Sequence, residues 1–137
     1  MGASAPRCNF AQVYVNDEYK GLYSNVEPIK KAFLRHNFDD YDDGNLYEGT
    51  LADFETLSSG VFEKKTNKGD DDWTDIQQVI DALDANSYDD VANIVDIEKF
   101  VVFWCAEVIL GHIDGYANNM NNYYVYRTED EKFEFIT

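Results

Sequence analysis

Between Asp96 and Gly111 the chain runs Ile97-Glu-Lys-Phe-Val-Val-Phe-Trp-Cys-Ala-Glu-Val-Ile-Leu110, a helical length of mostly apolar residues. Asp96 has the chemistry of an N-cap, and Gly111 suits the left-handed residue that ends a helix. Ile97, Phe100, Val101, Trp104 and Val108 share one face, while Val102, Phe103, Ile109 and Leu110 make much of the rest apolar. A helix apolar nearly all round is expected at the centre of its domain. Cys105 then reads as a buried thiol. Glu107 is the exception on this helix, and a buried acid needs a partner. The polar stretch His112-Ile-Asp-Gly-Tyr-Ala-Asn-Asn-Met-Asn-Asn122 follows. After it come strand-like Tyr123 to Arg127, a turn at Thr128 to Glu131, and strand-like Lys132 to Ile136.

The chain upstream supplies mixed elements. Phe10 to Val15 and Leu22 to Val26 read as a β-hairpin around Asn16-Asp17-Glu18. Pro28 suits the first position of a helix with Ile29, Ala32 and Phe33 on its apolar stripe. Leu46-Tyr47-Glu48 and Val61 to Lys65 are short strand candidates. A second helix opens at Asp72-Trp73-Thr74, where Thr74 and Gln77 have capping-box spacing; Ile76, Val79, Ile80 and Leu83 form its stripe. Ser87 and Asp90 predict a short helical turn carrying Val91 and Ile94. The fold class expected is α+β.

Charge narrows the partners. The 137 residues are enough for one domain, and they carry a formal net charge of -16. That argues against nucleic acid or an anionic membrane surface. An anionic ligand would need a metal or local lysines. The acids gather in Asp39 to Asp43 and Gly69 to Asp75, which read first as solvated loops. Placing Gly44 at the glycine of a calcium loop puts Tyr41 and Thr50 where oxygen ligands are required, so the EF-hand reading fails; weak calcium binding stays open. The two cysteines, Cys8 and Cys105, build no disulfide framework. No stretch is long and apolar enough to span a bilayer. Met1 to Arg7 lacks a signal peptide's apolar core. The strand pattern runs out at Phe133 to Thr137, which predicts a piece cut from a longer chain.

The loop after the apolar helix carries the chemistry. Asp114 with Asn119 five residues later has the spacing of the protein-kinase catalytic loop, and His112 stands two before the Asp. In that setting the Asp accepts the substrate hydroxyl's proton and the Asn holds magnesium. Asn118 and Asn122 are the rival ligands. His112 reads as a brace rather than a catalyst. The plainer readings are that Asp114 caps a turn and that the asparagines serve left-handed backbone. A Ser-His-Asp hydrolase lacks a nucleophile elbow here. Tyr116, Tyr123 and Tyr124 read as packing residues, and Arg127 as a cross-strand partner of Glu134.

Val13-Tyr-Val-Asn-Asp-Glu-Tyr-Lys-Gly-Leu-Tyr23, Glu27, Phe33-Leu34, Gly44-Asn-Leu-Tyr47, and His112-x-Asp-Gly-Tyr116 with Asn118, Asn119, Asn122-Tyr-Tyr and Tyr126 resemble the CotH family of atypical, kinase-like proteins. The resemblance spans nearly the whole chain. It implies a fragment of a distant protein-kinase-like fold, small-lobe-like over residues 8 to 70 and large-lobe-like over 71 to 137. It also implies ATP- and magnesium-dependent phosphorylation of Ser or Thr on a protein substrate. Asp114 would be catalytic and Asn119 metal-binding. A further metal-binding Asp would lie beyond this chain, so the fragment alone is expected to be inactive and its full-length parent active. The resemblance implies a Lys where this chain has Glu48; Lys65 or Lys64 would then bind phosphate, oriented by Glu27 unless Glu27 only caps the next helix. Secreted, cell-surface or spore-coat association follows from the same resemblance. The alternative is a non-catalytic acidic surface or secreted module that binds calcium or a protein partner.

Overall fold

The computed structural model describes residues 2–57 and 60–136; Met1, Ser58, Ser59 and Thr137 lie outside the described residues. The chain begins with a hairpin of β1 (Cys8–Val15) and β2 (Glu18–Val26). Asn16 and Asp17 take φ of 51° and 63°, the left-handed pair of a tight two-residue turn whose twist suits antiparallel strands. Lys20 is left unpaired between the pairs Tyr14↔Tyr19 and Val13↔Gly21, so the ladder carries a bulge there. Among the described residues the hairpin pairs with no other strand, and it is largely exposed.

The second sheet organises the rest. Its antiparallel order is β4 (Phe62–Lys64), β3 (Leu46–Gly49), β5 (Tyr123–Arg127), β6 (Phe133–Ile136). β3 and β4 therefore share one sheet with β5 and β6 from the far end of the chain. Alternation along the strands splits the apolar residues between two faces. Leu46, Tyr126 and Ile136 pack with Phe33 and Leu34 of helix α1 (Lys31–Asn37). Tyr47, Phe62, Tyr123, Val125, Phe133 and Phe135 form the larger core with Ile76, Val79 and Ile80 of α2 (Thr74–Asp84). Phe103 of α4 (Ile97–Leu110) joins them, and Val91 and Ile94 of the short helix α3 (Tyr88–Ile94) pack against its edge. Fully burying aromatic rings of this size makes the core the main source of stability.

Local chemistry sets most boundaries. Asp96 Oδ1 accepts from Lys99 N at 3.0 Å, Ser87 Oγ accepts from Asp90 N at 3.3 Å, and Gly111 at φ 64° ends α4. Other expectations need correction. α1 starts at Lys31 rather than Pro28, and it has no side-chain cap. At α2, Thr74 is already helical, and Asp72 Oδ1 accepts its N–H at 2.9 Å in place of the expected capping box. Ala82 is buried there and Leu83 is exposed. The largest correction concerns α4: only Phe103 and Glu107 are buried, and Ile109 is 83% exposed. One side of the helix meets the sheet, and no element of the described residues covers the other. Cys105 is exposed for the same reason. Arg127 lies over the Phe133 ring at 5.4 Å instead of pairing with Glu134, whose carboxylate is taken by Lys99. No helix among the described residues is long and apolar enough to cross a membrane.

Candidate functional site

The chain reverses after Gly111 and runs through a single helical turn, α5 (Tyr116–Asn119), into β5. Asp114 sits at the bend. Its Oδ1 accepts from Asn119 Nδ2 at 2.8 Å and Asn121 Nδ2 at 3.2 Å; its Oδ2 accepts from Asn122 Nδ2 at 2.6 Å. Asn122 Nδ2 also donates to the Asp114 carbonyl at 3.0 Å. These amides favour the charged form, Asn119 most and Asn121 next, and hold the Asp114 carboxyl below the usual carboxylate range. Asp114 and Asn119 thus face one another, as their spacing predicts.

The neighbouring asparagines divide the work. Asn122 has φ 51° and so serves both the left-handed backbone and the carboxylate. Asn118 is turned elsewhere, donating to Ile113 O at 2.8 Å. Asn121 belongs to the cluster, although the kinase spacing does not single it out. Its Oδ1 accepts from Leu51 N at 3.2 Å, and Ala52 N donates to Met120 O at 2.8 Å, so the segment after β3 braces the loop. Tyr116 donates its hydroxyl to Asp53 Oδ1 at 3.0 Å, and burial raises that phenol's pKa above its ordinary value. Tyr116 and the buried Tyr123 pack at 4.7 Å between ring centroids, as packing residues should.

The partner that Glu107 needs is this same loop. His112 faces its Oε1 through Nδ1 at 3.1 Å, and Ala117 N donates to Oε2 at 2.7 Å. His112 is a brace in this geometry, with Nδ1 carrying the hydrogen toward an oxygen that only accepts. Sequence signals for this were the lone acid on an apolar helix and the histidine five residues on.

The candidate phosphate-binding residues separate. Lys65 forms ion pairs with Glu48 and, at 2.8 Å, with Glu63, and these raise its pKa, Glu48 foremost. Glu48 Oε1 also accepts from the Tyr124 hydroxyl at 2.8 Å; burial first and this bond next push the Tyr124 phenol up to about 12. Lys65 lines a cleft of about 640 Å³ with Lys30, Lys31, Lys68, Thr66 and Tyr124. Lys64 points to the opposite face of the sheet, buried against Tyr47 and Trp73, and donates to the carbonyls of Asp72 at 2.8 Å and Asp70 at 3.2 Å. It is a structural lysine that ties the acidic loop to the sheet. Glu27 is bound to Arg7 through Nε at 2.9 Å, which lowers its pKa, and it neither orients Lys65 nor caps α1. In the loop before β3, Asp42 pairs with Arg35 at 2.9 Å and Lys31 at 3.6 Å. Among the described residues, no group of three or more His, Cys, Asp or Glu side chains forms a metal cluster.

Comparison with known proteins agrees with the family resemblance. The family model described as "CotH kinase protein" matches residues 1–137. "Inner spore coat protein H" of Bacillus subtilis (strain 168) is 25% identical over 151 residues, an alignment that covers 99% of this chain and 41% of that protein. The chain therefore spans about two fifths of the length of that relative.

Proposed function

The chain belongs to the CotH kinase protein family, and on that premise we propose that it carries the catalytic loop of an ATP-dependent kinase acting on protein Ser or Thr hydroxyls. The observation that carries the reading is the 2.8 Å bond between Asp114 and Asn119 across the bend from α4 to β5. Asp114 orients the substrate hydroxyl and takes its proton late, as the bond to phosphorus forms. Like an ordinary aspartate, Asp114 is in the accepting form at neutral pH. Asn119, Asn121 and Asn122 fix which way the carboxylate points. Lys65, paired with Glu48, is the ammonium proposed for the nucleotide's phosphates; the lysine-lined cleft it borders is lined by none of Asp114, Asn119 and Asn122.

The donor set suits a hard divalent cation. Asp114 offers carboxylate oxygen, and Asn119 and Asn122 offer carboxamide oxygens whose own Nδ2 groups are engaged with Asp114. Asn119 and Asn122 would hold magnesium, which when bound offsets the negative charge of the terminal phosphates. A second acid from elsewhere in the full-length protein is part of the proposal. By extension from the relative's name, spore-coat association is part of the proposal.

Calorimetric titration with magnesium-ATP tests the binding half. Lys65→Ala and Asn119→Ala are each expected to weaken binding roughly tenfold or more, the loss of one charged contact. Binding unchanged in both variants would contradict the assignment, as would a response to calcium alone equal to that with magnesium-ATP.

A further inference from the structure

The reaction above makes no use of the buried acid on α4. Glu107 is 2% exposed, and both of its oxygens accept hydrogen bonds. Its Oε1 takes His112 Nδ1 at 3.1 Å and Tyr116 N at 3.3 Å; its Oε2 takes Ala117 N at 2.7 Å. His112 and Tyr116 flank Asp114 by two residues on either side and meet at one oxygen atom. Tyr116 and Ala117 open α5, where backbone N–H groups have no partner within the helix. The clamp leaves no room at Gly115: an added Cβ would stand 2.3 Å from Glu107 Oε1 and 2.5 Å from His112 Nδ1. Gly115 has φ -94°, so the demand for glycine there comes from this approach and not from its backbone angle.

We infer that Glu107 is the positioning residue of the Asp114 loop: by gripping both arms of the bend it aims the Asp114 carboxylate at Asn119, Asn121 and Asn122. The inference rests on the catalytic reading only for the task the loop performs; its geometry stands apart from it. Glu107→Gln is the informative change because volume is conserved. Whichever oxygen becomes an amide, its N–H₂ faces the N–H of Tyr116 or of Ala117, and that bond to the start of α5 is lost.

The experiment compares side-chain amide signals of Asn119 and Asn122 by NMR in the 137-residue chain. In Glu107→Gln these signals move to the positions of asparagines without a side-chain partner, and amide exchange at Tyr116 or Ala117, whichever faces the new N–H₂, accelerates about tenfold or more, the loss of one local bond. Exchange at Tyr47 and Val125 in the sheet stays as in the wild type. A merely structural glutamate would leave the Asn119 and Asn122 signals in place, and that result overturns the inference. Should Glu107→Gln fail to fold, Gly115→Ala displaces the same carboxylate from the loop side and must give the same signature. In the full-length protein, kcat falls and KM for magnesium-ATP rises, because the released Asn119 and Asn122 are the proposed magnesium ligands. A loop that loosens in a protein without phosphate transfer would leave this inference standing and remove the catalytic one.

Discussion

Asp114 gains its partners from amides alone, so its orientation depends on hydrogen bonds rather than on burial. Lys65 is the opposite case, an ammonium held between two carboxylates at the rim of a cleft. Partly exposed ion pairs contribute about 0–1 kcal/mol. Lys65→Ala is therefore expected to leave thermal stability nearly unchanged while weakening magnesium-ATP binding; a large drop in Tm would make Lys65 structural instead. The Asp114–Asn119 pairing was legible from spacing, because five residues of a tight bend bring the two side chains together. Asn121 was not legible. Its place depends on Leu51 and Ala52, which meet the loop only once β3 and β5 have paired. Lys64 and Lys65 looked alike in sequence, and strand alternation sends them to different environments: Lys64 into the aromatic core, Lys65 to the cleft.

Helix α4 shows what periodicity can and cannot say. Its ends were readable, since Asp96 and Gly111 act through local bonds and local backbone conformation. Its surroundings were not, since an apolar pattern states a preference for burial and not what covers the helix. Phe103 is fully buried among Phe100, Tyr116 and Phe135, whereas Ile109 is exposed. Phe103→Ala is expected to cost about 3–5 kcal/mol through the cavity it leaves. Ile109→Gln should stay within about 0.5 kcal/mol, as surface changes do. Denaturant unfolding of the two variants checks the contrast; equal losses would mean that the outer face of α4 is packed after all.

Across the molecule, acidic charge and buried tyrosine set the response to solvent. The net charge of -16 repels itself, so added salt is expected to raise Tm by screening. Burial raises Tyr47, Tyr116, Tyr123, Tyr124 and Tyr126 above the ordinary 10.0, Tyr124 and Tyr126 to about 12. The folded state thus holds these protons more tightly than the unfolded one. Their stabilisation is complete below pH 10 and is lost as pH rises above it, through about 12 for Tyr124 and Tyr126 and at higher pH for the other three, so tyrosinate absorbance should grow together with loss of fold. Tyrosines that titrate freely near 10 in the folded protein would contradict the packing described. The α+β class and the element order were legible from local patterns. The union of β3 and β4 with β5 and β6 in one sheet was not, because it depends on pairing across more than half the chain. The account's central claim, that the bend after α4 is a phosphate-transfer site, is tested most directly by radiolabel from the terminal phosphate of ATP. The full-length protein, wild type and Asp114→Ala, is given magnesium and a serine-containing protein substrate. The account predicts label on the substrate with the wild type and a loss of roughly a hundredfold or more with Asp114→Ala; equal labelling by both would contradict it.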